Sequence, residues 1–202
     1  MTRGVSRTNQ NRCEACAEIR PGYDIINCSS HEGGLSRRLC SQCFNREAAA
    51  QNGQTGLDNT RLEPVRLLDC QGEAHDFHFV VRFLGDKVAI DACAVRRGRP
   101  AGHRFQIIGG LEEDLLALLG RLIDKMRRAL STRHLTRGEY GMQIADHRIV
   151  RAGIEWSGAQ DGRVPLLVID GREIEWDEFG RMLMTFEGWQ FKLQIADKSE
   201  EL

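Results

Sequence analysis

Residues 13–43, CEACAEIRPGYDIINCSSHEGGLSRRLCSQC, hold five of the chain's seven cysteines and one histidine. Cys13 and Cys16, and again Cys40 and Cys43, are spaced C-x-x-C, while Cys28 and His31 are spaced C-x-x-H. A C-x-x-C turn points both sulfurs inward, so two such turns supply the four soft thiolates that suit one tetrahedral zinc. The context of the second pair matters more than its spacing. CSQCFNREAAAQ reads as the first turn of a helix, with Ser41 near its start and the helix formers Glu47 and Ala48–Ala50 behind it. Between the pairs, YDIINCS and LSRRL flank the turn-like SHEGG and read as a β-hairpin. The expected ligands of a single Zn²⁺ are therefore Cys13, Cys16, Cys40 and Cys43. Four thiolates leave no open coordination position, so such a zinc is structural, and in a unit this short it supplies most of the folding free energy.

A second set, Cys13, Cys16, Cys28 and His31, would also satisfy zinc, but it strands Cys40 and Cys43 at the helix start. In the first reading Cys28 is a small buried residue of a hairpin strand and His31 an exposed turn residue. A knuckle, a hairpin and a second C-x-x-C opening a helix resemble the treble-clef type of zinc finger over residues 13–50. The same pieces look a little like a B-box, where a similar LC-x-x-C recurs. A B-box carries ligands for two metals, and no Cys or His follows Cys43 within this unit. The remainder of the chain resembles bacterial domains of unassigned function.

Outward from the cluster, the composition is that of a folded protein: 202 residues, 41% hydrophobic and 28% charged, long enough to bury a core and unlike disordered or collagenous chains. No run approaches the eighteen apolar residues of a membrane span. The start, MTRGVSRTNQNR, is polar and basic without an apolar segment behind it, so it reads as a disordered tail over residues 1–12. A cytoplasmic, reducing location follows as the expectation, and there clustered cysteines bind metal more often than they form disulfides. The net charge of −1 is spread evenly. Residues 1–60 carry seven Arg and no Lys against six acids, and the rest carries 21 basic against 23 acidic residues. Neither half shows the basic excess of a dedicated nucleic-acid binder.

QNGQTGLDNT, residues 51–60, reads as a linker. An α+β domain is expected over 61–197, with a tail at 198–202: a mixed, mainly antiparallel sheet with one long and one short helix. PVRLLDC (64–70), AHDFHFVVRF (74–83), KVAIDACAV (87–95) and HRFQII (103–108) read as a meander. In the second of these, Phe77, Phe79, Val81 and Phe83 share one face. The strongest helix pattern runs over residues 112–137, where Leu115, Leu118, Leu119, Leu122, Met126 and Leu130 form a stripe, acids open it, and Arg127, Arg128 and Arg133 close it before Gly138. RIVRAGIEWS (148–157) and VPLLVID (164–170) read as strands. A short helix follows Asp177, with Phe179, Leu183 and Phe186 at helical spacing, and WQFKLQIAD (189–197) reads as a last strand with Trp189, Phe191, Leu193 and Ile195 on one face.

Other groups are open to two readings. Asp170, Glu173, Glu175, Asp177 and Glu178, with Gln190 and Lys192 later, resemble a degenerate Mg²⁺ nuclease site or, more simply, an acidic turn and an acidic helix start. Arg96, Arg97, Arg99 and Arg104 in RRGRPAGHR form the longest basic run, either a phosphate-contacting loop or a solvated hairpin tip. His75 and His78, three apart on a strand, face opposite ways and cannot share a metal. Cys70 and Cys93 read as buried thiols. No nucleophile elbow, Walker loop or dinucleotide fingerprint is present. The function expected is that of a zinc-binding module acting on a protein or nucleic-acid partner, with a metal-dependent nuclease and a nucleic-acid binder as alternatives.

Overall fold

A computed structural model describes residues 11–28, 36–53, 60–139, 141–157 and 162–200, the Ala101 side chain aside. The fold is α+β, with helices set against antiparallel sheets. The polar start to residue 10, the SHEGG turn with His31, and residues 54–59 of the expected linker lie outside the described residues.

The first unit is a two-stranded frame for the cysteines. Strands β1 (Ile25–Cys28) and β2 (Arg37–Cys40) pair antiparallel, with Ile25 opposite Cys40, and helix α1 (Ser41–Gln51) starts directly after Cys40. Ser41 donates from its backbone N–H and its hydroxyl to the Asp24 carboxylate, so a residue from the far side of the hairpin caps the helix.

The second unit is the expected meander. Strands β3 (Val65–Leu68), β4 (Ala74–Phe83), β5 (Lys87–Arg96) and β6 (Arg99–Gly110) pair antiparallel in sequence order. Helix α2 (Leu115–Leu130) lays Leu118, Leu122, Met126 and Leu130 across the face that carries Phe77, Val81, Phe83 and Ile90. The Asp114 carboxylate accepts from Leu116 N–H at 3.0 Å and caps its start. The helix is shorter than its pattern predicts. It stops at Leu130, where the Ser131 hydroxyl bonds the Arg128 carbonyl at 2.7 Å, and the Leu130 carbonyl accepts from Cys70 N–H at 2.9 Å. Arg133 lies beyond the helix, and Gly138 ends a strand instead of a helix.

That strand begins the third unit. Strands β7 (Leu135–Gly138) and β8 (Gly141–Ile144) form a hairpin whose first strand takes up the end of the expected helix. Strands β9 (Gly153–Trp156), β10 (Pro165–Ile169) and β11 (Arg172–Glu175) form a sheet ordered β11-β10-β9, with helix α3 (Trp176–Met184) over it. Leu135, Ile144, Leu167, Ile169, Ile174 and Met182 make a core separate from that of the meander. Two expectations fail here. Only Gly153–Trp156 of residues 148–157 is strand, and residues 189–197 form no strand. The alternation in that last segment is real, but no strand of this chain pairs with it among the described residues.

Hydrogen bonds join the three units. Asn45 of α1 is 2% exposed and inserts against the part of β4 that β3 leaves uncovered. Its Nδ2 donates to the Val81 carbonyl at 2.8 Å, and its Oδ1 accepts from Phe83 N–H at 3.0 Å. The side-chain amide thus takes the place of a neighbouring strand's peptide. Tyr23 adds a second tie, its hydroxyl 2.9 Å from His78 Nδ1. Between the second and third units the backbones meet: a Cβ on Gly102 would lie 2.0 Å from the Gly171 carbonyl oxygen, so glycine is required there. Asp170, at φ +49°, accepts from His134 and Leu135 N–H at 2.8 and 2.7 Å and fixes the start of β7.

Candidate metal centre

The four predicted cysteines come together. One ligand atom from each of Cys13, Cys16, Cys40 and Cys43 lies within 4.8 Å of all the others, and they are the only such group of three or more potential ligands among the described residues. Four thiolates about 2.3 Å from a tetrahedral ion stand roughly 3.8 Å apart. Cys16 Sγ and Cys40 Sγ are 4.0 Å apart, close to that spacing.

Each ligand is placed by local backbone. The first knuckle turns through Ala17 at φ +61°, with Ala17 N–H donating to the Cys13 carbonyl at 2.9 Å and Cys13 N–H to the Glu18 carbonyl at 2.9 Å. Arg12 and Ile19 bridge across its base. The hairpin then delivers Cys40, and the helix start delivers Cys43 one turn on. Glu14 N–H donates to the Arg38 carbonyl at 2.8 Å, locking the knuckle onto β2. Cys13 and Cys40 are each 1% exposed and Cys43 5%, while Cys16 sits at the surface.

Electrostatics prepare the cage for a cation. Burial alone would raise the Cys13 thiol, but N–H groups of Cys16, Cys40 and Ala15 outweigh it and bring Cys13 down to about 6. The Cys40 N–H···Sγ contact is 3.2 Å. Cys40 and Cys43 are pushed up, chiefly by burial and then by the neighbouring sulfurs. Cys13 thus ionises readily, while Cys40 and Cys43 hold their protons until a cation replaces them. Arg20 stands beside the cage. Burial disfavours its charge, yet Glu18, Cys40, Asp24 and Cys16 together keep it firmly protonated. It donates to Gln42 Oε1 at 2.7 Å, and so places a fixed positive charge near a set of four thiolates.

Cys28 stays outside this group, half-buried on β1, with its thiol 3.8 Å from the Ile26 carbonyl and raised by burial. The described residues therefore show the four-cysteine set. The other sequence candidates are scattered. Arg96, Arg97 and Arg99 sit at the β5–β6 tip, which is not a loop but a tight turn with Arg97 at φ +53° and Gly98 at φ +74°. Arg104 lies within β6 and pairs with Glu155 at 3.4 Å. Asp170 is spent on backbone N–H groups, and Asp177 and Glu178 occupy the first turn of α3. His75 and His78 do face apart, toward Asp69 (3.4 Å) and Tyr23 respectively. Contrary to the expected burial, Cys70 is exposed in the turn between β3 and β4, and Cys93 is half-buried within β5.

Sequence reasoning missed a cleft of about 500 Å³ between the meander and the third unit, where Asp69, His75, His103, Arg96, Arg97 and Arg172 converge. His103 stacks on Phe105 and stands edge-on to His75 at 5.1 Å. No spacing rule links these residues, since the β10–β11 turn is far in sequence from the β6 residues Gly102 and His103 that it meets.

Three family models match the chain in succession. Each is described as a domain of unknown function: DUF7685 over residues 12–55, DUF7686 over 58–131 and DUF7713 over 134–200. No curated protein and no solved structure matches the chain. Each matched span holds one apolar cluster: that of the cysteines, that of the meander with α2, and that of β7–β11 with α3.

Proposed function

We propose that the chain is a binding or adaptor module in which one structural zinc, held by Cys13, Cys16, Cys40 and Cys43, organises a finger of the treble-clef type. The observation that carries this reading is the four-sulfur cage itself, three of whose members are buried. With all four positions taken by thiolate, zinc supplies folding free energy and has no site left for a substrate. In this reading residues 51–60 link the finger to a single α+β body over 61–197 that has two cores, and the protein works in a reducing, cytoplasmic setting that keeps its thiols free. Cobalt titration of the metal-stripped protein tests the assignment. Tetrahedral d–d bands with thiolate charge transfer of four-sulfur intensity are expected; octahedral spectra, or intensity for two thiolates, would reject it.

A second reading, anion or nucleic-acid binding, draws on one feature. Arg96, Arg97 and Arg172 line the cleft without a carboxylate partner among the described residues, while Asp69 and Asp170 are engaged with N–H groups. A salt-sensitive mobility shift lost in an Arg96→Ala, Arg97→Ala variant would support it.

A further inference from the structure

Residues 189–195 carry four large, exposed apolar side chains. Trp189, Phe191, Leu193 and Ile195 are 62, 79, 73 and 71% exposed, and they alternate with Gln190, Lys192 and Gln194. From Gln190 to Ala196 the backbone makes no hydrogen bond among the described residues. Period-two alternation over an unpaired backbone is the pattern of a strand that lacks a sheet.

The same molecule contains a sheet that lacks a strand. Strand β9 pairs with β10 on one side and with nothing on the other among the described residues. In register, Ile154 lies opposite Leu167, and Leu167 lies opposite Ile174. Leu167 and Ile174 are buried in the core beneath α3, yet Ile154 and Trp156, on the same face, are 62 and 73% exposed. The core face therefore continues past the cover that α3 provides.

The segment is tied at both ends to parts of the chain other than β9. Trp189 N–H donates to the Phe186 carbonyl at 3.0 Å, and its ring packs on Phe186 and beneath the Arg148 guanidinium at 4.9 Å. At the other end, Lys125 of α2 donates to the carbonyls of Lys198 at 2.9 Å and Glu200 at 2.6 Å. Eight residues lie between Trp189 and Lys198, a strap long enough for a strand of ordinary length.

We propose that this strap is a dimerisation element: the segment 189–195 of one protomer adds as a fourth strand to the β9 edge of a second copy, and the reverse contact forms by two-fold symmetry. One chain supplies both halves of the ladder, as an isologous interface requires. Six large apolar side chains per protomer, the strap's four with Ile154 and Trp156, would bury on the order of 800 Å² each side, the area of a standard specific interface. The new strand would cover Ile154 and Trp156 and satisfy the free amides of both partners.

Sedimentation equilibrium on the full zinc-loaded chain, combined with two variants, tests this. The wild type is expected at twice the chain mass. A strap variant, Phe191→Lys with Leu193→Lys, and an edge variant, Trp156→Lys, are each expected as monomers with unchanged zinc content and circular dichroism, because all three side chains are exposed. Mixing the two variants should restore a dimer, since the edge variant's intact strap meets the strap variant's intact β9. A wild type that stays monomeric overturns the proposal, whether or not it binds some other protein. So does a dimer that survives both variants, or one that the mixture fails to restore. In the wild-type dimer, amides 190–196 should also gain hydrogen-exchange protection that is lost on dilution.

Discussion

His103 sits in the cleft between the two cores with its ring stacked on Phe105, and burial followed by the nearby His75 lowers it from 6.5 to about 4. Asp170, Asp69 and Glu73 pull the other way without prevailing. The folded state holds this imidazole neutral while the unfolded chain takes up a proton below about 6.5. The contribution is thus complete above about pH 6.5 and is lost as the pH falls toward 4, on the order of 3 kcal/mol in all. Denaturant midpoints at pH 7 and pH 4.5 should differ accordingly, and His103→Gln should flatten that dependence. Asp170 supports a second residue-level expectation. Replacing it by Ala removes the acceptor of two N–H groups at a left-handed position, costing about 2–3 kcal/mol, while Asn keeps an acceptor and tolerates that backbone and so costs less. Paired urea melts of the two variants check the order.

At the scale of elements, the join between α1 and β4 rests on Asn45. Its replacement by Ala leaves the Val81 carbonyl and Phe83 N–H buried without partners, a loss of about 2–4 kcal/mol readable as a lower urea midpoint with the slope kept. This contact was invisible in the sequence, where Asn45 is one polar residue in a helix start. What was legible had a period or a rigid spacing. The C-x-x-C pairs fix sulfurs through turn geometry, and the β4 face and the α2 stripe repeat over ten residues or more. The hairpin β7–β8 was not legible because four-residue strands complete no pattern, and the stripe of α2 seemed to run into it. Ser131, bonding back to the Arg128 carbonyl, is the stop that Gly138 was taken for. For residues 189–197 the pattern reads as a strand, and the alternation holds; pairing, however, depends on a partner that no pattern names.

Across the whole molecule, the metal cage and the meander are connected through α1, while the third unit has its own core and meets the meander at the Gly102–Gly171 approach. Removing zinc should therefore free α1 from the β4 edge. Phe83 N–H is expected to lose hydrogen-exchange protection on chelation, whereas the amides of β10 and β11 keep theirs, an outcome that exchange mass spectrometry reads segment by segment. Equal loss in both regions would mean that the three units unfold as one. The account as a whole depends on a closed four-cysteine site, and the most direct measurement is metal content per chain by elemental analysis of the purified protein and two variants. One zinc per chain is predicted for the wild type and for Cys28→Ala, and none for Cys40→Ser. A wild type without zinc, or a Cys28→Ala protein that loses it, would contradict the account.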